Sequence, residues 1–352
     1  MPLSGQGRGE GGPAALRGSC TAIAKDRRGT ERKVAGRSRF PLDGDSPLVD
    51  DGSVAAGAAV AEGAPRCNRA VAAANEKWIL ASISSTVMTT DLARTIAEAY
   101  RWQRRLGNTQ IAAAHCHIVV DQAHPDVWDS NHADEVTARS EGEIESVFEA
   151  MDAHLGHTPW RVVHTDCFTP DAFLARLALE DFEERPVTIQ MALQGELTDQ
   201  GAAIDLRPVT TDSDWEALLR LVLADHAEGR RTGGLDLSPE FSAAKVAAYR
   251  AKSDAYHFHL AMRVGVPVAY GAYAAAPNGA GMIEDLFTLQ SARRRGIATG
   301  MIAAFTDRLR DAGCDAIFLG ALAAEQPKYL YARLGFRPVM LAHAWVRELQ
   351  ER

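Results

Sequence analysis

The sequence has no long apolar run. Nowhere in its 352 residues is there the stretch of about twenty apolar residues that a membrane-spanning helix needs. The first residues lack the basic-then-apolar layout of a secretory leader. Cysteine is scarce and scattered: Cys20, Cys67, Cys116, Cys167 and Cys314, odd in number and with no C-x-x-C pair. That pattern offers no disulfide framework and fits a reducing compartment, so a cytoplasmic location is expected. Positive charge is in deficit. A net charge of −8 argues against general nucleic-acid binding, and neither a nucleic-acid nor a membrane partner is expected. A metal site is not expected either. His115-Cys116-His117 comes nearest to one, with His124 and His132 following, but no carboxylate or cysteine set completes a recognisable ligand spacing. Alternate histidines on one strand face, solvated or hydrogen-bonded, are the plainer reading.

What is present is ordinary globular material: 46% hydrophobic residues in a chain long enough for two domains and a tail. The abundance of Ala, Arg and Gly fits a GC-rich bacterial genome. Residues 1–87 stand apart. A basic half, Arg8 to Arg39, precedes an acidic patch (Asp43, Asp45, Asp50, Asp51) and an alanine-glycine run from Val54 to Ala64. Such a composition buries too little apolar area to offset chain entropy, and a disordered extension is predicted. It can serve as a basic arm or simply as a solvated tail. Patterned sequence starts at Met88, so 1–87 can also be an over-extended reading frame.

Residues 88–195 read as a first α/β domain. Helices are predicted over Thr89–Leu106, over Gly142–Leu155, and from Thr169-Pro170 to Leu179, with Thr169 as N-cap. Strands are predicted at Ile111–Asp121, Arg161–Thr165 and Val187–Leu193. Residues 196–202 read as a linker. The second domain, 203–352, opens with a strand, Ile204–Val209, and a helix capped by Asp212. A polar loop, Glu228–Leu237, leads to a helix at Ser238-Pro239. A hairpin follows, Tyr256–Val264 and Val266–Ala275, then a strand to Leu289. A strand at Asp315–Leu322, a short helix at Pro327–Leu334 and a last strand at Pro338–Arg347 complete it.

The stretch Met282–Ile302 is the most informative. A strand ends in Arg293-Arg294-Arg295-Gly296, and a helix starts there with Ile297, Met301, Ile302, Phe305 and Leu309 on one face. A helix N-terminus offers unpaired N–H groups and the positive end of its dipole. With three arginines and the small residues Gly296, Ala298 and Gly300, the turn suits a pyrophosphate.

Arg293-Arg-Arg-Gly-Ile-Ala298, together with Leu330-Tyr-Ala-Arg-Leu-Gly-Phe336 and the element order from Ile204 to Arg347, resembles the GNAT superfamily of N-acetyltransferases. The resemblance covers about the last 150 residues. It implies an α/β (α+β) fold with a mixed central sheet flanked by helices. A fainter echo lies upstream, where Phe173–Phe182 and its following strand repeat the Leu330–Phe336 pattern. That echo lacks the arginine turn and the tyrosine, so a smaller, degenerate GNAT-like copy is expected in tandem.

The resemblance also implies chemistry. Acetyl-CoA is the expected co-substrate, and an amine of a small molecule or protein the acceptor. The pyrophosphate is expected on Arg293, Arg294, Arg295, Gly296, Ile297, Ala298 and Thr299. The pantetheine arm is expected along the backbone of Leu286, Phe287 and Thr288. Tyr331 is the expected acid for the departing thiolate, or else a packing residue. Glu284 is the expected base, or else a group that orients a cationic substrate. Strand alternation predicts Glu284 and Asp285 on opposite faces. The asparagine that many members carry seven residues before the tyrosine is Ala324 here, and Gln326 is the nearest substitute. His257 and His259 read as a strand pair, one of which could face the acceptor. A non-catalytic acyl-CoA-binding regulatory module is the alternative. The acceptor and the oligomeric state are not legible.

Overall fold

The computed structural model describes residues 90–231 and 237–349. The expectations for 1–87, including a start at Met88, lie outside the described residues. No described helix is long and apolar enough to cross a membrane.

The first helix, α1 (Thr90–Arg105), buries Ile96, Ala97, Ala99 and Tyr100 on one face. The strand predicted at Ile111–Asp121 is instead a hairpin, β1 (Thr109–Ala112) and β2 (His117–Val120). Ala113 N–H donates to Cys116 O at 2.9 Å and closes the turn. His115 therefore sits in a turn and His117 on a strand, so they do not share a strand face. The short strand β3 (His132–Asp134) went unpredicted, since three fully buried residues show no alternation. The second helix, α2 (Glu141–His154), starts with a capping box: Ser140 accepts from Glu143 N–H, and Glu143 accepts from Ser140 N–H. After β4 (Trp160–Asp166) comes α3 (Asp171–Leu179), capped at Pro170 rather than Thr169. The Thr169 hydroxyl is taken by Asp166 N–H at 3.1 Å. Two further strands, β5 (Glu183–Glu184) and β6 (Thr188–Leu193), close this half.

The second half runs β7 (Asp205–Pro208), α4 (Asp212–Arg231), α5 (Pro239–Ala251), β8 (His257–Arg263), β9 (Val266–Ala275) and β10 (Ala280–Thr288). It continues with α6 (Ile297–Asp311), β11 (Ala316–Leu322), α7 (Pro327–Leu334) and β12 (Phe336–Glu348). The loop predicted from Glu228 begins later than expected, because α4 continues to Arg231. Ser238 caps α5 as predicted, accepting from Phe241 N–H, with Pro239 in its first turn.

All strands but β5 form one path, β1-β2-β3-β4-β12-β6-β11-β10-β9-β8-β7, and β5 pairs with β12. The path is close to symmetric about its centre, where β6 and β12 run antiparallel. Moving outward, β12 meets β4 antiparallel while β6 meets β11 antiparallel. Next, β4 meets β3 in parallel and β11 meets β10 in parallel. The flanking pairs β2–β3 and β9–β10 are antiparallel. The unit β4-α3-β6 thus corresponds to β11-α7-β12, as the faint repeat suggested. The last strand of each half has changed places with the other, so the sheet is not divided where the chain is.

Two apolar layers sandwich the second half of the sheet. One face packs α1, α4 and α5 around Trp215, Leu218, Tyr256 and Phe258. The other packs α6 and α7 around Met301, Phe305, Leu319 and Phe336. Residues 196–202 lie along α6 and α7. Thr198 N–H donates to Leu334 O, Ala202 N–H donates to Gly296 O, and Glu196 pairs with Arg310. The contact is close enough to require glycine at 300, where an added Cβ would stand 2.3 Å from Ala202 O. That oxygen is backbone and cannot swing aside. Gly300→Val is expected to cost at least about 2 kcal/mol, read as a lowered urea midpoint with an unchanged slope.

Candidate active site

The site begins where β10 and β11 part. Their parallel pairing runs from Ala280/Ala316 to Ile283/Leu319 and ends there. Beyond it a bulge interrupts the β10–β9 register between Glu284 and Phe287, and Asp285 takes a positive φ of 53°. After the bulge β10 pairs only with β9, through Phe287 and Thr288. On the other side Gly320, Ala321 and Leu322 of β11 pair with β6. The inner edges of Leu286–Thr288 and Gly320–Leu322 thus open a wedge. A strand edge with unspent N–H and C=O groups accepts an extended chain of amides.

The bulge also corrects the expected alternation. Glu284 and Asp285 both line one cavity of about 90 Å³, on the face covered by α1 and α5. A bulge places two residues against one and can re-aim a side chain. Asp285 is fully engaged: Tyr249 and Tyr256 each donate a hydroxyl to it, at 2.7 and 2.8 Å. Glu284 is not. Its Oε1 is buried without a hydrogen-bond partner among the described residues. A Cβ added at Gly320 would lie 3.1 Å from that oxygen and 3.2 Å from Gln190 Nε2, so Glu284 leans over β11 at the wedge. Burial, then the neighbouring Asp285 charge, pushes its carboxyl up to about 7, against the pull of Arg104 and Lys252.

Tyr331, on α7, is buried and packs edge-on to Phe336. Burial raises its hydroxyl, and the Glu284 charge is the next cause, so the two groups feel one another across the wedge. Gln326 occupies the N-cap position of α7 and makes no side-chain cap.

The turn leading into α6 has its expected form. Gly296 is left-handed at φ 76°, and an added Cβ there would meet Ala202 N at 2.9 Å. Gly300 N–H is bonded to Gly296 O, which leaves the N–H groups before it at the helix end. Arg294 and Arg295 are exposed at this entrance, Gly296 and Ala298 are partly covered, and Ile297 and Thr299 are buried. Arg293 does another task. Its Nε donates to Thr288 O at 2.8 Å and its guanidinium pairs with Glu228 at 2.6 Å, which pins the turn to the strand end.

The remaining wall was not foreseen. Tyr100 and Arg104 come from α1, Asp129 from the loop before β3, Lys245 and Tyr249 from α5, and Lys252 from its C-cap. One signal was available: Lys245, Tyr249 and Lys252 follow i, i+4, i+7 spacing, a polar stripe on a helix whose face is buried. Two of the flagged histidines are elsewhere. His259 lies among the rings of Tyr273 and Phe305, on the α6 face, and burial pushes it down to about 4. His257 stands beside Tyr273. His117, Asp134 and Glu135 have ligand atoms within 4.8 Å of one another. Arg105 already supplies the positive charge there, bonding both carboxylates.

Comparison with known proteins agrees with this geometry. Residues 215–336 match the acetyltransferase (GNAT) family model. No curated protein matches the chain in sequence. Among solved structures, a functionally unknown conserved protein from Staphylococcus epidermidis ATCC 12228 is similar with a TM-score of 0.54 and 13% identity, covering 69% of this chain and 95% of its own. A GCN5-related N-acetyltransferase from Kribbella flavida is similar with a TM-score of 0.52 and 20% identity, covering 72% of this chain and 94% of its own. At such identities the likeness is one of fold, over both halves of the sheet. The family match itself falls on the residues that build the wedge, the glycine turn and α7, and residues 215–336 of the chain thus carry a GNAT acetyltransferase-family domain.

Proposed function

We propose that the protein is an acetyl-CoA-dependent N-acetyltransferase that moves an acetyl group directly to a primary amine. We also read the chain as a degenerate half, 88–195, joined by 196–202 to the half that carries the chemistry, 203–352. The observation that carries the reading is the Glu284 carboxyl, buried at the wedge with an orphaned oxygen and held near neutrality. A general base is most effective when it titrates near the working pH.

The residues present fit the donor. The edge of Leu286–Thr288, apart from the Thr288 carbonyl taken by Arg293, suits the amides of a pantetheine arm. The N–H groups from Arg294 to Thr299 suit a pyrophosphate, with Arg294 and Arg295 beside it. Bound acetyl-CoA would supply an acetyl group activated as a thioester. Glu284 takes one proton from the acceptor ammonium, so that the nitrogen presents a lone pair, and the second proton, shed as the N–C bond forms, replaces the one that Tyr331 gives up. Backbone N–H at the bulge stabilises charge developing on the acetyl oxygen. Tyr331, kept fully protonated by its raised pKa, returns a proton to the sulfur as the C–S bond breaks and the N–C bond forms.

Tyr331→Phe is expected to lower kcat by about ten- to a thousandfold while leaving the acetyl-CoA dissociation constant within about twofold. Thiol release with an amine panel and calorimetric titration of acetyl-CoA check the two halves of this statement. Binding of acetyl-CoA with no transfer by the wild type to any amine would make the chain an acyl-CoA-binding regulatory module instead.

A further inference from the structure

The cavity beside Glu284 carries charge of both signs in a small volume. Three cations, Arg104, Lys245 and Lys252, face three carboxylates, Asp129, Glu284 and Asp285. Their pairings are unequal. Asp285 is saturated by two tyrosines. Lys252 reaches neutral partners, Gln103 Oε1 at 3.2 Å and the face of the Tyr256 ring at 4.0 Å from its centroid. Arg104 and Lys245 share one carboxylate, Asp129, each at 3.4 Å. That is the long end of a charged hydrogen bond. Asp129 is also 47% exposed, whereas Arg104 and Lys245 are 12% and 24% exposed. Arg104 also donates to the Tyr100 hydroxyl at 2.6 Å, but the two largely buried cations share one half-solvated anion, and the third has no anion at bonding distance among the contacts described. Buried cations of this kind favour a further anion. At the other end, Glu284 Oε1 is an acceptor without a donor.

From this arrangement we propose that the acceptor is a compact zwitterion, an amine bearing its own carboxylate, with the amine at Glu284 and the carboxylate held by Arg104 and Lys245. The proposal deepens the acetyltransferase reading and rests on it. Size agrees. A cavity of about 90 Å³ holds about six to nine water-sized heavy atoms, the size of a small amino acid. A polyamine or a basic protein tail would leave Arg104 and Lys245 with no anion beyond Asp129. The first half of the chain also gains a role. It lacks a phosphate turn, but its α1 and the loop before β3 supply Arg104 and Asp129, which form the carboxylate end of the site.

The test uses the full-length protein with acetyl-CoA. Small amino acids (glycine, L-alanine, L-serine, L-threonine) are compared with their decarboxylated amines and with spermidine, by thiol release. Binding of each is measured separately by calorimetry at saturating CoA. Amino acids are expected to exceed their decarboxylated partners by at least about a hundredfold in kcat/KM, since a site built for a charged group rejects the analogue lacking it. Arg104→Gln is expected to raise KM for the amino acid at least about tenfold with kcat little changed. The acetyl-CoA constant should not move, and the loss with the decarboxylated amine, which feels only the weakened pull of Arg104 on Glu284, should stay at least about tenfold smaller in kcat/KM than the loss with the amino acid. Lys245→Gln should act in the same direction, which guards against an Arg104 variant that fails to fold. Preference for decarboxylated amines or spermidine, or equal losses on both classes in the variants, would overturn the proposal. Binding of amino acids without transfer would support the zwitterion site and overturn the acetyltransferase reading. Transfer to other amines with no binding of amino acids would do the reverse.

Discussion

Glu284→Gln is expected to lower kcat by a hundred- to ten-thousandfold, about the contribution of a positioned base, and to remove a pH dependence centred near 7. The base must be ionised to accept a proton. With its carboxyl pushed up to about 7 by burial and by Asp285, the wild-type rate should climb about tenfold per unit below that pH and level off above it. The acceptor's own ionisation acts equally on both proteins, so the ratio of the two profiles isolates the carboxyl. The same substitution should raise stability at pH 8. A carboxyl whose pKa is higher folded than unfolded penalises the folded state at any pH above the folded value, where both states are ionised. The penalty fades as pH falls through about 7 and is gone below the unfolded value near 4.3. Glutamine removes the charge, so the gain should be on the order of 3–4 kcal/mol at pH 8 and close to nothing at pH 4. Loss of activity together with a pH-dependent gain in stability separates a strained base from a structural carboxylate. A variant that is less stable at pH 8, or a wild-type rate flat between pH 6 and 8, would remove Glu284 from the mechanism.

The sequence showed the proposed donor end of this site more clearly than the proposed acceptor end, for physical reasons. Arg293–Ala298 and Leu330–Phe336 are local. A turn and a short helix write their geometry in consecutive residues, and the structure puts both beside the wedge. The bulge at Glu284–Phe287 was not legible, because Asp285 adopts its positive φ without a glycine to announce it. Strand alternation therefore gave the wrong face for one of two adjacent carboxylates. The acceptor wall was hidden for another reason. Arg104 and Asp129 stand 180 and 155 positions before Glu284, and only the sheet brings them together. The exchange of β6 and β12 was hidden too. Periodicity identifies a strand but not its neighbours, and the faint repeat showed that two units correspond without showing that they interleave.

Because of that exchange, residues 203–352 expressed alone are expected not to fold. Within that segment β11 and β12 are both present, but β6 from the first half lies between them. Removing β6 takes away five register pairs with β11 and six with β12. It also takes Ile189 and Met191, both fully buried among Leu319, Tyr331 and Phe336. Each fully buried side chain of this size contributes about 1.5–3 kcal/mol, and the exposed edges and the gap add to the loss. Together these approach the whole stability of a typical domain, about 5–15 kcal/mol. The segment 90–202 should fail alone for the mirror reason, since β12 lies between its own β4 and β6. Produced together, the two segments should recover a one-to-one complex, because each supplies the strand the other lacks. Size-exclusion chromatography and circular dichroism of the separate and combined segments give the answer. A cooperative urea transition for 203–352 on its own would mean that β11 and β12 can close the gap directly, in the parallel sense their common direction requires, and that the exchanged strand is dispensable to the second half.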